Sequence, residues 1–163
     1  MYKYFFKRLF DFFISLVVLL CLSPLLLIIT IWLHFANKGA GVFFCRPGKN
    51  GKIFKIIKYK SMTDERDEHG NFLPDVRRLT SVGRFIRATS IDELPQFINV
   101  LMGDMALIGP RPLLTEYLPY YTEREKLRHV VRPGITGYTQ VHGRNNLSWD
   151  ERLEMDVYYV EHL

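Results

Sequence analysis

The sequence predicts an α+β chain, mostly helical: one N-terminal re-entrant membrane helix with a Ser-Pro break, then a small cytoplasmic domain containing a short β-hairpin. Three observations carry this. The run Phe12–Phe35 holds no charged side chain other than the titratable His34, and as a helix it would be roughly 36 Å long against a hydrocarbon core of about 30 Å. Ser23-Pro24 sits at its centre, where proline removes an N–H and clashes with the carbonyl four residues back, so a kink or break is expected, with Ser23 helping to satisfy the freed backbone. Both flanks are basic: Lys3, Lys7 and Arg8 precede the run, and Lys38, Arg46, Lys49, Lys52, Lys55, Lys58 and Lys60 follow it with no acid between Ala36 and Lys60. Basic flanks stay on the cytoplasmic side, which favours a helix that enters and leaves the same leaflet over a tilted, kinked single span. A cleaved signal peptide fits poorly, because the run is long and no small-x-small site follows it. Burial in a soluble core fits poorly in so short a chain.

The expected domains are residues 1–36, the membrane helix with its basic flank, and residues 37–163, a cytoplasmic domain large enough for one core. A net charge of +5 and a pI of about 9.2 suit an anionic partner: lipid head groups, nucleic acid or a phosphorylated small molecule. Cys21 lies inside the apolar run and Cys45 beyond it, so neither a disulfide between them nor a paired-cysteine zinc site is expected, and the five His residues show no metal-ligand spacing. A reducing cytoplasmic setting follows.

Val42–Cys45 and Ile53–Tyr59 read as short strands, joined through Pro47-Gly48-Lys49-Asn50-Gly51, whose Asn-Gly pair is a hairpin signal. The polar stretch from Ser61 to Arg78 reads as a solvated loop with room for a helical turn. Leu94, Phe97, Ile98 and Leu101 recur at helical spacing and Gly103 suits the end of that helix. Met105–Ile108 reads as a short buried strand leading into Gly109-Pro110-Arg111-Pro112. Thr122/Glu125 and Ser148/Glu151 match the capping box, which predicts helix starts near Glu123 and Trp149. Between them, Arg132-Pro133-Gly134-Ile135-Thr136-Gly137 reads as a turn-rich loop.

Chemistry is best carried by Asp92 and Glu93, which open the amphipathic helix. Ser90 with Glu93 matches a capping box, whereas Pro95 is better tolerated if Asp92 is the cap; either register puts both carboxylates in the first turn. Side chains there can converge on one cation, and a helix N-terminus attracts phosphate, so carboxylates, phosphate and a divalent metal can share one site. Acids in a first turn more often only stabilise the helix. Three arginines weigh against that plain reading. Arg87 precedes the dyad closely, and Arg111 and Arg132 sit beside prolines that stiffen their loops, an arrangement suited to bidentate phosphate recognition.

The ordered set Lys7-Arg8-Leu9-Phe10-Asp11, Ser23-Pro24, Lys58-Tyr59-Lys60-Ser61-Met62, Asp92-Glu93-Leu94-Pro95-Gln96, Asn99-Val100-Leu101, Gly103-Asp104-Met105, Gly109-Pro110-Arg111-Pro112, Arg132–Gly137, Gly143-Arg144-Asn145 and Asp156-Val157-Tyr158-Tyr159 spans almost the whole chain. In it the chain resembles the monotopic phosphoglycosyl transferases of the bacterial sugar transferase family, closest to small, single-domain PglC-type members. The resemblance implies transfer of a sugar-1-phosphate from a UDP-sugar to membrane polyprenyl (undecaprenyl) phosphate, giving polyprenyl-diphosphate-sugar and UMP, as the initiating step of glycoconjugate biosynthesis. It implies that Asp92 attacks the sugar-bearing phosphate and forms an aspartyl-phosphosugar intermediate. Glu93 would share Mg²⁺ with Asp92 and orient the dyad. Arg87, Arg111 and Arg132 would bind phosphate, with Lys58 as a further candidate, while Arg144 and Asp156 match substrate-site positions without an assigned role. Lys7, Arg8, Ser23 and Pro24 would serve membrane placement, with Lys7 and Arg8 meeting phospholipid head groups. The expected location is the cytoplasmic face of the bacterial inner membrane, and downstream glycosyltransferases are the expected protein partners.

The chain departs from the family pattern at Phe43–Gly48, which is about two residues short of the usual strand-to-turn passage, and at Leu163, where relatives continue through further helix, so an incomplete C-terminus is expected. The rival reading is a non-catalytic membrane-anchored protein that binds anionic lipids or a partner through its basic surface; it does not require Asp92 and Glu93. A nucleic-acid partner is not expected, since the chain shows no helix-turn-helix, stacking motif or zinc finger.

Overall fold

A computed structural model of the chain describes residues 5–37, 41–143 and 146–163. Lys3, Lys38, Arg144 and Asn145 fall outside them. Helix α1 (Lys7–Asn37, 31 residues) is followed by strands β1 (Gly41–Pro47) and β2 (Ile53–Tyr59), which pair with each other. Then come α2 (Asp75–Arg78), α3 (Ser81–Ala88), α4 (Gln96–Met102), β3 (Ala106–Ile108), α5 (Glu123–Lys126), β4 (Gly134–Thr136), α6 (Tyr138–His142) and α7 (Trp149–Glu161). Two compact units share these elements: one takes the chain up to Leu19, Phe44–Ile56 and Gln96–Leu163, and the other takes Leu20–Phe43 and Ile57–Pro95. The fold is mostly helical, with the expected hairpin. Asn50 and Gly51 both adopt positive φ (57° and 73°) in its turn, the conformation that makes Asn-Gly a hairpin signal.

In the Leu20–Pro95 unit the core is Ile29 and Leu33 of α1, Tyr59 of β2 and Ile86 of α3. The helix runs through Pro24. Proline at this position cannot donate to the carbonyl of Leu20, and Ser23 Oγ donates to that same oxygen at 2.8 Å, so the orphaned acceptor is satisfied locally. Tyr59 donates its hydroxyl to Leu26 O at 2.9 Å and lies 3.0 Å from Thr30 Oγ1. At the helix end the fully buried Asn37 donates to Lys60 O and accepts from Thr80 Oγ1, which also caps α3 by accepting from Gly83 N. A Cβ on Gly83 would fall 1.7 Å from Ser61 O, so only glycine lets α3 approach that backbone.

In the other unit Ile56, Val100 and Met105 form the core, with Phe54, Leu107 and Ile135 against them. Arg132–Gly137 differs from expectation: its middle is strand β4, parallel to β3 with Ala106 opposite Gly134 and Ile108 opposite Thr136. The glycines that suggested turns serve close approach instead, since a Cβ on Gly134 would lie 2.2 Å from Gly109 N and one on Gly137 2.2 Å from Gly109 O. Both expected capping boxes form, at Thr122 and Ser148. The carbonyls at the end of α4 are taken by arginines: Arg8 donates to Val100 O and Leu101 O, and Arg132 donates Nε to Gly103 O at 2.6 Å. Asp11 is buried, pairs with Lys7 at 3.0 Å and accepts from Leu107 N.

His129 in this unit is held neutral. Burial first, and then the neighbouring Arg128 charge, lower its pKa from 6.5 to about 4. An unfolded chain takes up that proton near the ordinary value, so the contribution is complete above about pH 6.5 and is lost as the pH falls toward about 4. His129→Gln should therefore flatten the decline of the thermal midpoint across that window, measured by circular dichroism in detergent. Parallel declines in both proteins would show that other groups govern acid stability.

Candidate active site

The dyad is set by an unusual piece of backbone. Ser90, with φ 57° and ψ 17°, is left-handed and its side chain caps nothing. Ile91–Glu93 then make a single 3-10 turn, and the regular helix α4 starts only at Gln96, one residue after Pro95. The two registers expected from the sequence, a Ser90/Glu93 capping box or Asp92 as the cap, are both replaced by this turn. Proline opens α4 where its missing N–H is harmless, and the carboxylates sit upstream of it. A non-glycine residue held left-handed costs on the order of 1 kcal/mol and persists only when its surroundings fix it. Here it tips Asp92 inward, to 2% exposure.

Lys58 meets it there. Its Nζ lies 2.7 Å from Asp92 Oδ2 and 3.2 Å from Glu93 Oε1. Side chains alternate along a strand, so with Tyr59 turned to α1, the preceding lysine projects from the opposite face of β2. One ammonium thus bridges both carboxylates. The ion pair offsets the desolvation of Asp92 that burial would otherwise leave uncompensated. It also shows that the two side chains, although adjacent in sequence, reach a common cation. Among the described residues no group of three or more His, Cys, Asp or Glu converges as a metal site. Two carboxylates reaching one cation is nevertheless the donor set with which Mg²⁺ is held when substrate phosphates complete its shell.

Arg87, at the end of α3 in the same unit, is exposed and tethered by Nε to Ser61 Oγ at 2.8 Å. That bond leaves its two terminal nitrogens for a bidentate acceptor. Arg111 and Arg132 belong to the other unit; Arg111 is exposed on its Gly-Pro-Arg-Pro loop and Arg132 is half-buried at the end of α4. Arg144 lies outside the described residues. The structure therefore brings Lys58 together with Asp92 and Glu93, giving it a more central place than the sequence suggested, and no sequence signal marks the left-handed Ser90.

Asp156 is a structural group in this fold. It is buried on α7, accepts Nη2 and Nε of Arg128 at 2.7 and 3.2 Å, and accepts Thr139 Oγ1 at 2.7 Å. Arg128, which the sequence reading passed over, is 2% exposed and also donates to Arg111 O at 2.7 Å, so the pair ties α7 to the loop that carries Arg111. Removing one partner of a buried pair leaves an uncompensated charge, at about 3–5 kcal/mol. Asp156→Ala should lower the thermal midpoint steeply, and adding Arg128→Met should restore part of it. A midpoint unmoved by Asp156→Ala would contradict the structural role.

The family model for bacterial sugar transferases matches residues 2–163. A Bacillus subtilis protein named as the uncharacterized sugar transferase EpsL is 53% identical over 95% of this chain and 77% of its own length. The undecaprenyl-phosphate galactose phosphotransferase of Salmonella typhimurium is 37% identical over 96% of this chain. The UDP-glucose:undecaprenyl-phosphate glucose-1-phosphate transferase of Klebsiella pneumoniae is 39% identical over 95% of it. The chain spans only 37% and 36% of the length of those last two proteins. With the match running through the strand that holds Lys58, the turn that holds Asp92 and Glu93, and the loops that hold Arg111 and Arg132, the chain belongs to the bacterial sugar transferase family.

Proposed function

We propose that this protein is a phosphoglycosyl transferase that moves a sugar-1-phosphate from a UDP-sugar to polyprenyl phosphate. The observation that carries the reading is the pair of adjacent carboxylates held on one Lys58 ammonium, one of them buried. The names of the Salmonella and Klebsiella relatives supply the substrate class.

In this mechanism an oxygen of Asp92 attacks the sugar-bearing phosphorus of the donor. The bond from that phosphorus to the bridging oxygen breaks, UMP leaves with the electron pair, and an acyl phosphate to the sugar remains on Asp92. A phosphate oxygen of the polyprenyl acceptor then attacks the same phosphorus, which forms the new diphosphate and returns Asp92 as a carboxylate. Phosphoryl transfer is governed by positioning and charge stabilisation. The turn at Ser90 fixes Asp92, Lys58 orients it, and the terminal nitrogens of Arg87 are suited to the phosphate oxygens. Mg²⁺ held by Asp92 and Glu93 would neutralise charge on the diphosphate.

The acceptor's phosphate sits at a membrane surface, and α1 suits that setting. It is long and apolar enough to cross a membrane, and only 11% of its most apolar window is buried within the protein. Leu20, Leu27, Ile28 and Phe35 are each more than 60% exposed, a surface that water would penalise. Basic residues on both sides of the apolar run and the Ser23-Pro24 pair favour a re-entrant, monotopic arrangement on the cytoplasmic face of the inner membrane.

UMP release from a panel of UDP-sugars, with Mg²⁺ and polyprenyl phosphate in nanodiscs, tests the reading. One donor should turn over. Chelation and Asp92→Asn should abolish release, and Lys58→Met should reduce it by roughly a hundredfold, the scale of losing one preorganised charge-stabilising group. Release that survives in Asp92→Asn would remove Asp92 from the reaction.

A further inference from the structure

Two contacts join the segment Lys58–Ser61 to the segment Arg87–Glu93, in opposite order along the two. Lys58 reaches Asp92 and Glu93, and Ser61 Oγ accepts Nε of Arg87 at 2.8 Å. Three residues separate Lys58 from Ser61, at most about 11 Å of chain. The segment that supplies the cation of the dyad therefore also supplies the tether of Arg87.

Ser61 is itself held from several directions. The carbonyl of Lys60, just before it, accepts from Asn37 of α1. Met62, just after it, forms an antiparallel bridge with Leu79, and Thr63 N donates to Arg78 O at 2.9 Å. The serine backbone lies directly against α3, where a Cβ on Gly83 would fall 1.7 Å from Ser61 O and 2.6 Å from Ser61 C. Gly83 and Arg87 are four positions apart and so share one face of the helix. Close backbone contact at Gly83 thus delivers the hydroxyl to Arg87. Ser61 is 6% exposed whereas Arg87 is exposed, which makes the serine the fixed point and the guanidinium the group it fixes. An exposed arginine otherwise samples many rotamers, and a ligand has to order it on binding.

The acceptor is a neutral hydroxyl, so the bond orients Arg87 without neutralising it. A carboxylate in the same place would orient the guanidinium and also compensate its charge. Behind the side chain, Arg87 O accepts the N–H of Ser90 at 3.2 Å, and Ser90 is the left-handed residue from which the dyad turn begins. The side chain and the backbone of Arg87 are thereby both fixed close to that turn.

We infer that Ser61 is a positioning residue for the phosphoryl transfer: it acts through Arg87, holding the terminal guanidinium nitrogens in the orientation that receives a substrate phosphate. The inference rests on the transferase reading above and adds a residue which that reading does not use.

The test combines Ser61→Ala, Ser61→Thr, Arg87→Gln and the Ser61→Ala/Arg87→Gln double variant in the whole chain, each in nanodiscs. The alanine keeps the backbone carbonyl that packs on Gly83, so its thermal midpoint should stay close to that of wild type. Its kcat/KM for UMP release should fall roughly tenfold, a fraction of the hundredfold that about an ångström of misplacement can cost. Ser61→Thr, which retains the hydroxyl, should recover most of that loss, and Ser61→Ala should cost nothing further once Arg87→Gln is present. A second readout needs no turnover: the ¹⁵N order parameter of the Arg87 Nε–H, assigned by its disappearance in Arg87→Gln and measured without substrate in detergent, should drop below about 0.6 in Ser61→Ala. An equal loss from Ser61→Ala with and without Arg87 would overturn the inference, as would a collapsed midpoint in Ser61→Ala, which would make the serine structural. An Arg87 loosened by Ser61→Ala in a protein that still releases UMP at the wild-type rate would overturn the positioning role and leave the transferase reading intact. Absence of UMP release from wild type with every donor would sink both.

Discussion

The structure depends on one constraint: a 31-residue apolar helix that cannot be hidden inside so small a protein must still be joined to polar, hydrogen-bonded machinery. The solution is to place polar side chains at chosen points along it. Arg8 and Asp11 near its start satisfy the end of α4 and the N–H of Leu107. Ser23 covers the acceptor that Pro24 abandons. Thr30 and Asn37, toward its end, meet Tyr59, Lys60 and Thr80. Each of these groups would be costly in an apolar setting if left unpaired. The remaining surface of α1 is left apolar, which suits a bilayer, and each of the two units takes part of the same helix into its own structure.

The same logic of pairing governs the site. A carboxylate buried as deeply as Asp92 is stable only with a compensating cation, and Lys58 supplies it while also reaching Glu93. That arrangement holds the two carboxylates in place around one cation, and fixed charge of this kind is the preorganisation that the proposed phosphoryl transfer requires. The strained Ser90 is the local energy stored to achieve it. Asp156, by contrast, is as buried as Asp92 but has its oxygens taken by Arg128 and Thr139. Both carboxylates are thus buried with a charge partner; Asp92 differs in having a second carboxylate beside it and a left-handed residue shortly before it.

Much of this was legible in the residues. The long helix, the Asn-Gly hairpin, both capping boxes and the helix ending at Gly103 follow from local patterns whose physics acts within a few positions. What the sequence hid was non-local. The parallel pairing of β4 with β3 depends on Gly109, Gly134 and Gly137 giving way to a distant backbone, and glycine in sequence reads equally well as a turn. Helix α3 was missed because its apolar positions are few and its glycine, Gly83, is present for contact with Ser61. Arg128 reads as one more surface charge, since nothing near it in the sequence announces an acid twenty-eight positions away. Lys58 was undervalued for the same reason.

The central claim is that Asp92 becomes covalently attached to the donor's sugar-1-phosphate. Intact-protein and peptide mass spectrometry after mixing the protein with its UDP-sugar and Mg²⁺, with polyprenyl phosphate withheld, tests it directly. The account predicts a mass gain equal to the phosphosugar on the peptide containing Asp92, discharged when polyprenyl phosphate is added. An unmodified Asp92 peptide in a preparation that turns over once the acceptor is present would contradict it and favour direct transfer from donor to acceptor.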